Sequence, residues 1–169
     1  MLNAPPSAPG NPDKVLATHR LACDLLSAYG LRGWTFRFNR RKREMGLCRF
    51  DPALIELSLH FVVRNDFAAI KDTLLHEIAH ALVGPGHGHD AAWKRKCLEI
   101  GARPERLSFD AAMPDGRWQA VCPGCGMLHH KHRRPKHAVG WWCRHCGPER
   151  GRLVWHLATA PDHDQRRRA

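Results

Sequence analysis

Thr73-Leu74-Leu75-His76-Glu77-Ile78-Ala79-His80-Ala81-Leu82-Val83 is the stretch that decides the reading of this chain. A helix turns about 100° per residue, so side chains four positions apart stand nearly above one another. His76 and His80 therefore project from one face and can hold one metal ion through two imidazoles. Glu77 lies one step round from His76, close enough to take a proton from water at the metal without being a ligand itself. Leu74, Leu75, Ile78, Ala79, Leu82 and Val83 make the helix apolar almost all round, which predicts a core helix. Buried His and Glu side chains without partners are costly, and a bound zinc ion removes that cost.

Catalytic zinc takes three protein ligands and keeps one position open. The helix breaks at Gly84-Pro85-Gly86-His87-Gly88-His89, a glycine-rich loop that cannot stay helical and that offers His87 and His89, with Asp90 as a possible oxygen ligand. Asp90 is also a good cap for a following helix, Ala91 to Ile100, stopped by Gly101. The shortness of the loop brings that helix's N-terminus back toward His80.

Upstream, residues 1–10 are rich in Pro, Ser and Ala and read as a disordered leader. Asn11-Pro12-Asp13 signals a helix start, and the apolar spacing from Val15 to Leu26 continues it to a stop near Gly30. Cys23 reads as a small core residue of that helix. Trp34, Phe36 and Phe38 alternate with polar residues as in a half-buried strand. Asn39 to Glu44 then reads as a basic hairpin tip, either a solvated turn or a phosphate contact, leading into a second strand from Met45 to Phe50. A third strand, Leu54 to Leu59, follows the turn at Asp51-Pro52, and Cys48 is expected in the core. Asn65 and Asp66 can cap the active-site helix, Phe67 to about Val83.

A second metal-ligand pattern lies near the C-terminus. Cys122-Pro123-Gly124-Cys125 and Cys143-Arg144-His145-Cys146 are two C-x-x-C knuckles seventeen residues apart. This spacing suits four thiolates closing a tetrahedron on a structural zinc. The segment is too small for a large core, so zinc is expected to fold it. Lys131, Arg133, Arg134 and Lys136 lie between the knuckles and could contact phosphates. Trp141 and Trp142 point to opposite faces of a strand: one can pack the ribbon while Trp142 stacks on an unpaired base, or both can cover a small core.

The formal charge of +11 over 169 residues favours polyanionic partners, nucleic acid first, although a basic surface kept for solubility has the same composition. No apolar stretch is long enough to span a membrane, and the N-terminus has no signal-peptide pattern. The seven cysteines therefore read as thiols or metal ligands in a reducing compartment: cytoplasmic, nucleoid-associated, or host cytoplasm if the source is viral. Oligomeric state leaves no mark in the sequence.

The run HEIAHALVGPGHGHDAAWK resembles the metalloprotease core of SprT-like proteins, a group that includes Spartan and the Wss-type proteases. In that family a third His lies four residues before an aromatic that opens the next helix. Trp93 is that aromatic here, so the resemblance implies His89 as third ligand, with His87 as the alternative. Leu57-Ser58-Leu59 matches the short "LS" strand end of these proteins, which often carry a zinc ribbon after the protease core.

The resemblance implies an α+β fold. A zincin-like minimal metalloprotease core of helices and a small antiparallel sheet (residues 11–116) precedes a four-cysteine zinc ribbon (117–157) and a basic tail (158–169). Two zinc ions per chain are expected, one catalytic and one structural. The implied activity is zinc-dependent peptide hydrolysis with Glu77 as general base, on proteins associated with or crosslinked to DNA, single-stranded or at junctions. The competing readings are an inactive nucleic-acid-binding ribbon protein and a DNA-independent protease with a dedicated protein substrate. No oxyanion-stabilising donor stands out; Tyr29 is the only tyrosine.

Overall fold

The computed structural model describes residues 12–105, 111–137 and 140–158. The expected leader, the capping Asn11 and nearly all of the basic tail lie outside the described residues. The chain divides into two compact units, Met1–Pro114 and Asp115–Ala169.

The first unit is the expected α+β arrangement. Helix α1 (Pro12–Ala28) precedes strands β1 (Thr35–Asn39), β2 (Gly46–Phe50) and β3 (Ala53–Ser58), then helices α2 (Leu59–Arg64), α3 (Phe67–Val83) and α4 (Ala91–Ile100). The expected β1–β2 hairpin is absent. The sheet order is β1-β3-β2, with β3 parallel to β1 and antiparallel to β2. β3 takes the centre because Leu54, Ile55 and Leu57 are buried on both faces of the strand, the pattern of an internal strand. The loop from β1 to β2 must then cross the end of β3, about two strand spacings or roughly 10 Å. Ser58 ties it down there: its N–H donates to the Met45 carbonyl at 2.8 Å and its hydroxyl donates to the Arg41 carbonyl.

The third strand also ends one residue earlier than expected, because Ser58 caps a helix that the sequence reading missed. Its hydroxyl accepts from the His60 N–H at 3.2 Å, and Leu59–Arg64 turns helical. Helix α3 is capped by Asp66, which accepts from the Ala69 N–H at 2.8 Å. Asn65 closes α2 instead and holds the Ala112 backbone. Asp90 caps α4, and Gly101 ends it in the left-handed conformation that glycine adopts without strain.

Helix α3 is apolar all round because it is packed on two sides. Ile70, Leu74 and Ile78 join Ala22, Leu26, Phe36, Ile55, Leu57, Phe61 and Val62 in the main core. Leu75 and Ala79 face Trp93 and Cys97 of α4 in a second cluster. Cys23 is not a core residue: it is exposed, its Sγ 3.7 Å from His19 Nδ1, because α1 buries the line Thr18, Ala22 and Leu26 instead. Cys48 is only half-buried, since β2 is an edge strand. Tyr29 spends its hydroxyl on the Ile100 carbonyl.

The second unit holds an antiparallel sheet of β4 (Trp118–Val121), β5 (Leu128–Lys131) and β6 (His156–Leu157), in the order β5-β4-β6, and a short helix α5 (Gly147–Arg150). Its buried centre is Ala120, Cys122, Cys143 and Leu153, flanked by Trp141, Cys146 and Trp155. Among the described residues no helix is long and apolar enough to cross a membrane.

Candidate metal centre and its pocket

One turn of α3 places His76 and His80 on the same side, and the loop after α3 returns His89 to face them. His89 Nε2 lies 3.1 Å from His76 Nε2 and 3.3 Å from His80 Nε2. A tetrahedral zinc with Zn–N bonds of about 2.0–2.1 Å separates its nitrogens by about 3.3 Å, so the three imidazoles already stand at ligand spacing. His87 is not part of this group. Its Nδ1 lies 2.7 Å from Asp90 Oδ2 at the exposed rim of the pocket. Asp90 itself is occupied as helix cap and as the partner of His87.

Burial, followed by the neighbouring imidazoles, lowers the pKa of His76 to about 4, with Asp72 acting weakly the other way. Burial, then His89, brings His80 to about 4 against a hydrogen bond to the His87 backbone. Both rings are therefore neutral at physiological pH, the form in which imidazole donates to a metal. The bond to the His87 backbone is of the kind that supports metal-ligating histidines.

Trp93 holds the cluster from below. It is fully buried, and its ring centroid lies 4.7, 5.2 and 4.5 Å from those of His76, His80 and His89. The sequence marked Trp93 only as the aromatic that locates the third histidine; its contact with all three rings depends on α4 folding back against α3.

Glu77 is 7% exposed, on the side of α3 turned toward β2. Burial raises its pKa to about 8, against a hydrogen bond from the Cys48 backbone, with Glu44 adding to the rise. The Cys48 thiol is pushed up to about 12 by burial and by Glu77, so it stays protonated. Glu77 and the three histidines share a pocket of about 600 Å³ with Met45, Gly46, Leu47, Cys48 and Phe50. At its rim Arg103 donates to Asp72 through both its backbone N–H and its Nε, each at 2.9 Å. Gly46 and Cys48 carried no functional signal in the sequence, because their relation to Glu77 exists only through strand placement.

In the second unit the four thiol sulfurs of Cys122, Cys125, Cys143 and Cys146 lie within 4.8 Å of one another. Cys125 and Cys143 Sγ are 3.8 Å apart, which is the S···S separation of a tetrahedron with Zn–S bonds of about 2.3 Å. Backbone N–H groups of Cys146 and His145 lower the pKa of Cys143, favouring the thiolate a metal requires, while the neighbouring sulfurs push Cys146 up to about 12 in the metal-free cluster.

The basic residues between the knuckles divide into two groups. Lys131 Nζ sits 3.3 Å from the centroid of the Trp141 ring and Arg134 lies over Trp118 at 5.6 Å, so both are drawn onto indoles. Arg133 and Lys136 are exposed with no ion-pair partner among the described residues. Trp141 packs the small core, whereas Trp142 is 50% exposed.

Among solved structures, the crystal structure of the metallopeptidase zymogen of Methanocaldococcus jannaschii jannalysin is similar at a TM-score of 0.44 and 13% identity, over 56% of this chain and 85% of that one. No curated protein sequence matches. The model of the SprT-like family matches residues 18–112, which include His76, Glu77, His80 and His89. That match spans more than half of the chain, and the protein belongs to the SprT-like family.

Proposed function

We propose that this protein is a zinc metallopeptidase acting on proteins associated with DNA, in which a protease core is joined to a structural zinc ribbon that contacts nucleic acid. The observation that carries the hydrolase reading is the convergence of three imidazole nitrogens beside a buried, unliganded carboxylate in one open pocket. His76, His80 and His89 would hold the catalytic zinc, and Cys122, Cys125, Cys143 and Cys146 the structural one. Bound in the pocket, zinc supplies Lewis acidity toward a carbonyl oxygen and toward water. Glu77 accepts the proton of the attacking water and delivers it to the leaving amine. Between the knuckles, Arg133 and Lys136 are exposed cations that could meet phosphates, and Trp142 offers an exposed ring to an unpaired base. Lys131 and Arg134, each over an indole, would add to the same phosphate-binding face.

The test is incubation with a DNA-binding protein, with and without single-stranded DNA. Cleavage stimulated by DNA is expected. DNA-independent cleavage would point to a dedicated protease, and binding without cleavage to an inactive module. Glu77→Gln should keep its zinc and lose proteolysis; equal proteolysis by the variant would end the assignment of Glu77 as base.

A further inference from the structure

The side chain of Glu77 is met from across the pocket by the edge strand β2. A Cβ built on Gly46 would fall 2.6 Å from Glu77 Oε1, 2.9 Å from its Cγ and 3.1 Å from its Cδ. The first two are closer than a side-chain Cβ comes to atoms it is not bonded to, and the third is tight. Moving Glu77 aside has a cost: it is 7% exposed, and a hydrogen bond from the Cys48 backbone, two residues along the same strand, favours its carboxylate where it stands. Gly46 is not among the glycines with positive φ, so its backbone does not call for glycine. Glycine also weakens strands. Space for Glu77 is what the position requires.

We propose that Gly46 is a positioning residue for Glu77. Its missing side chain shapes the seat of the carboxylate and the Cys48 N–H holds that carboxylate in place, so β2 as well as α3 sets where the base stands. This rests on the reading of Glu77 as general base. Gly46 and Cys48 face inward together because alternate residues of a strand share a face. Gly46 pairs with Leu57 and Cys48 with Ile55 of the central strand, which fixes both against α3. The ligand imidazoles are packed on Trp93 of α4 and do not depend on this seat.

The test is Gly46→Ala in the full chain. It should keep both zinc ions with unchanged affinity in chelator competition, and lose about 100-fold in kcat with KM within a few-fold, as a displacement of about 1 Å at the reacting groups does. The loss should couple to Glu77: in the Glu77→Gln background Gly46→Ala should change the residual rate by less than about twofold. Melting temperature supplies a readout independent of turnover. Gly46→Ala should lower it, and adding Glu77→Ala, which clears the space, should restore it. Should Gly46→Ala alone fail to fold, the Gly46→Ala/Glu77→Ala pair should fold. Undiminished kcat, equal loss of rate in both backgrounds, or a melting loss that persists without the Glu77 side chain would each overturn the proposal. Undiminished proteolysis by Glu77→Gln would instead end the general-base reading, leaving the melting cycle to judge the packing.

Discussion

Stripping the metal from this protein should expose the cost of its buried carboxylate as a pH-dependent loss of stability. Glu77 titrates near 4.5 when unfolded and at about 8 in the metal-free fold, chiefly because burial penalises the charge. A folded-state pKa raised in this way leaves the fold fully stable below the unfolded value, where both states carry the proton. As pH rises from there toward the folded value, the unfolded chain ionises first and draws the equilibrium toward itself. Every tenfold difference in proton affinity between the two states corresponds to about 1.4 kcal/mol, so between about pH 5 and pH 8.5 the metal-free protein should lose on the order of 4 kcal/mol on this account. Glutamine at this position fills the same volume and does not ionise. The assay is urea unfolding followed by helical circular dichroism, on chelator-treated wild type and Glu77→Gln across that range. The difference between the two proteins isolates Glu77 and the one thiol coupled to it, Cys48, which burial keeps protonated across this range in both. The variant should gain on the wild type steadily as pH rises, and zinc loading should shrink the gap, since a nearby dication favours the carboxylate. A pH-independent difference between the two metal-free proteins would refute the reasoning.

Three further outcomes follow from the geometry. His89→Ala should abolish tight binding of one zinc while His87→Ala retains it, measured as metal content after gel filtration; the reverse result would reassign the third ligand. Trp93→Ala removes a fully buried indole and should cost about 3–5 kcal/mol, with weaker zinc binding at the histidines. Unchanged zinc affinity in a folded variant would show that the ring is packing alone. Cys122→Ser should lower the zinc content by one ion per chain and unfold the second unit selectively, detectable as lost amide protection in its described residues, 115–137 and 140–158, and not in residues 12–105.

What could be read from the sequence was whatever acts within a turn or two of chain. His76 and His80 share a face because a helix repeats every 3.6 residues, and the caps Asp66 and Asp90 and the stop at Gly101 are short-range signals of the same kind. The two cysteine knuckles belong here too, since each brings its pair of sulfurs together within four residues. The choice between His87 and His89 lay just beyond this range: both sit in a loop whose path is set by how α4 packs on α3, and a resemblance rather than the local pattern favoured His89.

The remainder needed the tertiary structure. Alternation along β1 and β2 described two half-buried strands but could not say which lay beside which, because a period of two is satisfied by any neighbour. Burial of Leu54, Ile55 and Leu57 on both faces of β3 resolved that by taking the centre of the sheet, and β2 was thereby set as an edge against α3. The surroundings of Glu77 follow from that one pairing. Gly46 and Cys48 lie some thirty residues from Glu77 along the chain, and Trp93 lies thirteen from His80. Contacts at such separations are chosen by whichever packing buries the most apolar surface, a property of the whole unit that no short window contains.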